Sequence, residues 1–368
     1  MGINSSGKPT RVIEIKTSFL VILFSTLAVL IALVIALFIV MNIENNALND
    51  DSSSNKRDPS KTVQTDKTPS IPASKTALYP TKETRSSYKI TTSGTVVTLT
   101  DEIGANNTVL VKVEKDSLTS VVEKGADTKI YPASMTKVMT LLVACENVTD
   151  IEKKLTVTKE IADFAAANDG SGAGLKVGDS YTVEDLLYLI IYKSDTIASI
   201  LIAEEIAGSE AAFVEMMNAK VAQLGLTGTH FSNCTGLHDV NNYSTCKDIA
   251  SIMVYALDNE MAYKCLTEYK GRPMVVGETD CTFYSAWYSG NPGYNSLGFK
   301  DNPKLSSTTI IAGKTGYVDE AGFTFVTVSQ DKSGQRYVNV TIGKPKGEGY
   351  TATKFMTDVK AIYNTYAK

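Results

Sequence analysis

Three short strings in this chain hold residue types that can do covalent chemistry: Ser134-Met135-Thr136-Lys137, Ser194-Asp195-Thr196 and Lys314-Thr315-Gly316. A serine hydroxyl is a weak nucleophile until a base takes its proton. Ser134 and Lys137 are three positions apart, so on a helix they share a face and the amine comes within reach of the hydroxyl. Lysine serves as that base only with a lowered pKa, which burial and a second nearby cation both produce. Lys314 is the candidate for that cation. Pro132 precedes the pair and Val138–Cys145 is apolar, which predicts a buried helix opening here, its first turn aiming a backbone N–H at a developing oxyanion.

The third string follows the apolar stretch Thr308–Ala312, so it is expected at the end of a strand, where Gly316 lets a substrate backbone approach closely. The side chains of Lys314 and Thr315 suit a substrate carboxylate, and the Tyr317 N–H is placed to be a second oxyanion donor. The chain's two histidines, His230 and His238, lie in a loop-rich stretch and are expected to make structural hydrogen bonds. Neither cysteine nor histidine spacing resembles a zinc site, and nothing in the sequence calls for a cofactor.

The elements that must position these strings can be read coarsely. Thr108–Val113 and Leu118–Glu123 flank a short turn and predict a hairpin. Thr182-Val183-Glu184-Asp185 and Thr245-Cys246-Lys247-Asp248 are capping-box patterns opening helices toward Tyr192 and Leu257. Ser209–Leu224 is amphipathic and stops at Gly225. Phe323–Ser329 and Tyr337–Ile342 predict a second hairpin, the latter alternating Val338, Val340 and Ile342 with Tyr337, Asn339 and Thr341 as a half-buried strand does. Phe355, Val359, Ile362 and Tyr366 share a face of a final helix. The order strands, helices, strands, helix implies an α/β fold of the α+β type: an antiparallel sheet of about five strands flanked by helices, with a mostly helical subdomain.

Residues 17–43 contain no charged side chain and form an apolar run longer than the roughly 20 residues a transmembrane helix needs. Lys8, Arg11 and Lys16 precede it; Glu44, Asp50 and Asp51 follow. That asymmetry keeps residues 1–16 in the cytoplasm and exports everything beyond the span, as a single-pass membrane protein. Residues 44–87 are rich in Ser, Thr, Asn, Lys and Pro and read as a flexible extracytoplasmic linker, with a coil reach of roughly 35–40 Å. Residues 88–368 are then the catalytic domain. A net charge of −4 with no concentrated basic patch argues against a nucleic-acid partner. Cys145 sits in an apolar helical run and reads as a buried thiol; Cys234, Cys246, Cys265 and Cys281 cluster in an exported domain where disulfides are permitted, with no pairing fixed by spacing.

Tyr131-Pro132-Ala133-Ser134-Met135-Thr136-Lys137-Val138-Met139-Thr140 resembles the active-site segment of the low-molecular-mass penicillin-binding proteins, the serine-type D-Ala-D-Ala carboxypeptidases (peptidase S11). The ordered Ser-x-x-Lys, Ser-x-Asn-like and Lys-Thr-Gly strings are the signature of that group and of class A β-lactamases. Gly174–Leu187, Leu224–Phe231, Gly236–Asp239, Tyr243–Thr245 and Gly313–Phe323 resemble further family segments. The resemblance implies a β-lactamase/DD-peptidase-like fold. It also implies Ser134 as acylated nucleophile, Lys137 as general base, Ser194 as proton relay, and Lys314 and Thr315 as carboxylate binders beside Gly316. The N–H groups of Ser134 and Tyr317 would form the oxyanion hole. Implied partners are peptidoglycan stem peptides ending in D-Ala-D-Ala and β-lactam antibiotics as covalent inhibitors. Thr196 stands where the family has an Asn that holds the catalytic lysine and a substrate amide, and no Arg occurs between Arg272 and Arg336 to assist the third string. Two alternatives stay open: a class A-like β-lactamase, although no Glu-x-x-Leu-Asn string occurs, and a wall-binding pseudoenzyme weakened by Thr196.

Overall fold

The computed structural model describes residues 77–92, 96–99, 102–288 and 305–368. Residues 1–16, expected to be a cytoplasmic tail, the apolar run 17–43 and most of the expected linker lie outside the described residues. No helix among the described residues is long and apolar enough to cross a membrane.

Five long antiparallel strands build the sheet: β3 (Asn107–Val113), β4 (Leu118–Lys124), β9 (Thr308–Val318), β10 (Gly322–Asp331) and β11 (Arg336–Ile342). They run in the order β4-β3-β11-β10-β9, and two short strands, β1 (Ile90–Thr91) and β2 (Val97–Thr98), pair in parallel with β4. Both predicted hairpins form, with Val113 opposite Leu118 and Val326 opposite Val340. The third string does not end its strand. β9 continues to Val318, so Lys314, Thr315 and Gly316 are held in register opposite Val326, Phe325 and Thr324.

The strand expected to be half buried is buried on both faces. Val338, Val340 and Ile342 face the main core, while Tyr337 joins a second core with Phe355, Val359 and Ile362 of the terminal helix. The alternation marks two different cores rather than core and water. The polar residues between are satisfied internally: Asn339 Nδ2 donates to Thr108 Oγ1 at 3.1 Å and to the Val109 carbonyl at 3.0 Å, and Thr341 Oγ1 donates to Asn339 Oδ1 at 2.8 Å. A buried network of this kind fixes register because each unmade bond is costly.

The helices are α1 (Thr136–Asn147), α2 (Lys159–Ala167), α3 (Val183–Tyr192), α4 (Thr196–Ala207), α5 (Glu210–Gln223), α6 (Cys246–Ala256), α7 (Glu260–Thr267) and α8 (Ala352–Tyr366). The predicted caps hold: Thr182 and Thr245 hydroxyls accept from the N–H groups of Asp185 and Asp248, and the structure adds a third at Ser209, whose hydroxyl accepts from the Ala212 N–H. α1 is buried from Thr136 through Cys145 and carries the first string into the middle of the domain. α7, the β5–β6 pair (Lys154–Thr156 with Ser180–Thr182) and the β7–β8 hairpin (Arg272–Val276 with Thr279–Phe283) were not apparent in the sequence. Arg272 ties that hairpin to α3 through Glu184, 2.8 Å away, and by lying 3.9 Å from the Tyr188 ring centre.

Chain assigned to the linker already packs on this domain before Tyr88. The Leu78 N–H donates to the Val148 carbonyl at 3.0 Å, Asn259 Nδ2 donates to the Tyr79 carbonyl at 2.6 Å, and Thr84, Arg85 and Tyr88 all converge on Asp258 Oδ2. All five cysteines are free thiols; Cys145, Cys234, Cys246 and Cys265 are buried.

Leu142, fully buried on α1, anchors the helix that presents Ser134 and Lys137. Truncation by Leu142→Ala is expected to lower folding stability by about 2–5 kcal/mol, read from the midpoint of denaturant unfolding.

Candidate active site

Ser134 does not open the α-helix directly. Ala133–Met135 form a single 3-10 turn and α1 begins at Thr136, so Pro132 lies outside the helix. Ala133 has φ 49°, a left-handed conformation that an alanine adopts only when its surroundings impose it. Three neighbours do so. Thr324 Oγ1 donates to the Pro132 carbonyl at 3.2 Å. Gly236, at φ 75°, closes on the Ala133 carbonyl so tightly that a Cβ there would lie 2.2 Å from its oxygen. Gly316 approaches from β9, and a Cβ on it would lie 2.7 Å from the Ser134 nitrogen.

Lys137 Nζ lies 3.4 Å from Ser134 Oγ and donates to the Thr235 carbonyl. Burial pushes the Lys137 amine down to about 8, offset in part by Cys234, Asp195 and Glu210. Lys314 is also buried and is held well below the ordinary lysine range, first by burial and then by the charge of Lys137. That repulsion is mutual, so protonating either amine opposes protonating the other. Lys314 Nζ donates to Ser194 Oγ at 3.0 Å and to the Thr315 carbonyl at 2.7 Å.

The second string is a strained link between two helices. α3 ends at Tyr192, Ser194 takes φ 53°, and Asp195 caps α4 by accepting from the Ala198 N–H at 2.8 Å. The other Asp195 oxygen accepts from the Ala173 N–H at 2.6 Å, fixing the neighbouring loop. Thr196 is buried on the first turn of α4. Its N–H donates to the Ser171 carbonyl at 2.9 Å, and its Oγ1 lies against Gly170, where a Cβ would come within 2.9 Å. The hydrogen bonds of Lys137 go to Ser134 and Thr235, not to Thr196.

Ser134, Ser194, Thr315, Gly316 and Tyr317 line a cleft of about 310 Å³, with Lys137 and Lys314 buried behind it. Its remaining wall is Ser171, Gly172, Tyr192, Lys193 and Ala286, none of which the sequence had marked. Lys193 could have been noticed as the residue before Ser194; Ala286 follows the unrecognised β7–β8 hairpin and carried no signal. His230 Nδ1 pairs with the Asn241 carbonyl at 2.8 Å, and His238 Nδ1 lies 3.4 Å from Glu320, so both histidines have structural partners. Among the described residues no cluster of His, Cys, Asp and Glu could hold a metal. A serine beside a buried, depressed amine, with a second serine bonded to a second buried amine across one cleft, is an arrangement for acyl transfer.

A family model described as D-alanyl-D-alanine carboxypeptidase matches residues 94–346. D-alanyl-D-alanine carboxypeptidase DacF of Bacillus subtilis (strain 168) is 31% identical over 271 residues, 73% of this chain and 65% of that protein. D-alanyl-D-alanine carboxypeptidase of Streptomyces sp. (strain K15) is 35% identical over 148 residues, 38% of this chain and 51% of that protein. The chain thus spans between about half and two thirds of these relatives' length. Among solved structures, the Streptomyces K15 DD-transpeptidase matches with a TM-score of 0.60 at 24% identity, covering 73% of this chain and 98% of its own. That likeness shows the DD-peptidase fold expected from the sequence.

Any side chain at position 316 would sit on the Ser134 N–H. Gly316→Ala is expected to slow covalent labelling of Ser134 by a serine-directed acylating probe by roughly 10²–10³-fold, the usual cost of losing one oxyanion donor.

Proposed function

We propose, from the premise that this chain belongs to the D-alanyl-D-alanine carboxypeptidase family, that it removes the terminal D-alanine from peptidoglycan stem peptides through an acyl-enzyme on Ser134. The observation that carries this reading is the buried Lys137 amine 3.4 Å from Ser134 Oγ, with Lys314 and Ser194 bonded to each other in the same site.

In this reading Lys314 and Thr315 receive the substrate's terminal carboxylate. An incoming carboxylate favours the ammonium form of Lys314, and that charge in turn opposes protonation of Lys137, so substrate binding leaves Lys137 as the neutral base. Ser134 Oγ attacks the carbonyl carbon of the penultimate D-alanine while its proton passes to Lys137 Nζ. The carbonyl π electrons move onto oxygen, facing the N–H groups of Ser134 and Tyr317. Collapse of the tetrahedral centre breaks the C–N bond, and the departing amine of D-alanine takes the proton that Lys137 gained, relayed by Ser194, which leaves Lys137 neutral. Water then attacks the ester, its proton going to Lys137, and as the C–O bond to Ser134 breaks Lys137 returns that proton to Ser134 Oγ. β-Lactams would acylate Ser134 by the same first step, their leaving nitrogen remaining tethered to the acyl group.

The sequence supports a setting for this activity. The uncharged run 17–43, with basic residues before it and acidic residues after it, would anchor the chain in the cell membrane with the catalytic domain outside. The following polar stretch would give the domain reach into the wall. Thr196, turned toward Gly170, favours a second possibility, slow turnover of the acyl-enzyme.

Incubation with penicillin is expected to add one adduct mass on Ser134, absent in Ser134→Ala and formed roughly 10²–10⁴-fold more slowly in Lys137→Ala; no adduct on the unaltered protein would sink the acyl-enzyme reading. A peptide ending in Lys-D-Ala-D-Ala should release free D-alanine; acylation without that release would point to a changed substrate or a stalled enzyme. Because Lys137 must be neutral to accept a proton, and burial holds it at about 8, the acylation rate should rise with pH and level off above that value.

A further inference from the structure

A base has to present its lone pair. Neutral Lys137 carries two N–H bonds and one lone pair, and rotation about its last C–N bond is free unless an acceptor fixes it. Its partners are Ser134 Oγ and the Thr235 carbonyl. A side-chain amide at position 196 would offer another acceptor; Thr196 instead faces Gly170 and Ser171. The Thr235 carbonyl is therefore the group that fixes the amine.

That carbonyl belongs to a peptide held from several sides. Asn233 Oδ1 accepts three bonds, from the Thr235 N–H at 3.2 Å, the Thr235 hydroxyl at 3.1 Å and the Gly236 N–H at 2.7 Å. Asn233 Nδ2 donates to the Leu237 carbonyl at 3.1 Å. The Cys234 N–H donates to Glu210 Oε1 at 3.0 Å, and its carbonyl accepts from Thr140 Oγ1 at 2.7 Å. Gly236 then presses on the Ala133 carbonyl beside the nucleophile. One five-residue loop, 233–237, thus grips both Lys137 and the turn that carries Ser134, and the Asn233 side chain ties that loop together.

We propose that Asn233 is a positioning residue for acylation: by folding residues 233–237 around its amide it holds the Thr235 carbonyl on Lys137, keeps the lone pair on Ser134, and takes over the holding role that a side-chain amide at position 196 would have. This rests on the acyl-enzyme reading above. The groups facing Lys137 are Asp195 at the start of α4, Glu210 on α5, Cys234 in the loop itself and Lys314 on β9. A carboxylate at position 233 would join the negative members of that set and favour the ammonium form of Lys137.

The test uses the full chain, measuring the rate of penicillin acylation by intact mass across pH, with melting temperature and KM for the D-alanyl peptide alongside. Asn233→Ala is expected to slow acylation roughly 10–100-fold at every pH while KM stays within about twofold, the pattern of a misplaced base. Asn233→Asp retains the triple acceptor but loses the donor to the Leu237 carbonyl; it should keep most of the high-pH plateau, losing far less than Asn233→Ala, and displace the rising limb to higher pH. Acylation of Asn233→Ala at the parent rate would overturn the proposal, as would equal losses in both variants at all pH values, which would mark a merely structural loop. If Asn233→Ala does not fold, the Asp profile decides, and an unmoved limb overturns it. An unaltered protein that forms no adduct refutes the acyl-enzyme reading itself, and the positioning role falls with it.

Discussion

Lys137 and Lys314 are each 1% exposed, and neither has a carboxylate within ion-pair distance among the described residues. Holding two ammonium groups in such a site would cost several kcal/mol apiece, so the site favours at least one neutral amine. The reactivity proposed for Ser134 depends on this. Burial and mutual repulsion lower both amines, so each opposes protonation of the other. In the proposed function a carboxylate entering beside Lys314 would settle which amine keeps the charge, coupling substrate binding to readiness of the base.

Such a site can persist only on a rigid frame. Lys137 rides on a helix buried along most of its length, and Lys314 sits mid-strand between the registers that β9 shares with β10. The sheet behind them is covered on both faces by separate cores, so neither element can yield without opening a packed interior. The two strained non-glycine residues nearest the chemistry, Ala133 and Ser194, are both left-handed. Each stands at a junction where a regular element begins or ends, and each is pinned by contacts from elsewhere in the chain: Gly236 and Gly316 for the first, Lys314 for the second.

Much of this could be read from the sequence. The hairpins, the caps at Thr182 and Thr245 and the terminal helix follow from local periodicity and side-chain chemistry, and the three strings do converge on one cleft. What stayed hidden depends on contacts between distant residues. The left-handed Ala133 carries no local signal, because an alanine takes that shape only under pressure from a residue such as Gly236. The double burial of β11 looked like one-sided alternation, because Asn339 and Thr341 are polar yet bonded to one another within the sheet. The grip on Lys137 comes from a backbone carbonyl, a group every residue possesses, so no residue type at 235 could have announced it.

The departure at Thr196 is best understood through the same distinction. Read as a string, threonine in place of asparagine removes the amide that the family resemblance would set against Lys137. In three dimensions position 196 also closes the wall made by residues 170–173, since its N–H holds Ser171 and the preceding Asp195 holds Ala173. Its short side chain lies against Gly170, leaving no free space there for a Cβ. The Thr196 side chain packs on that wall, and the bonds of Lys137 go to Ser134 and Thr235 instead. In the proposed arrangement the Thr235 carbonyl is the fixed point for Lys137, and the loop that carries it also presses on the turn holding Ser134 through Gly236. The proposed base and nucleophile would then share one support, so a small movement of that loop would shift them together rather than apart.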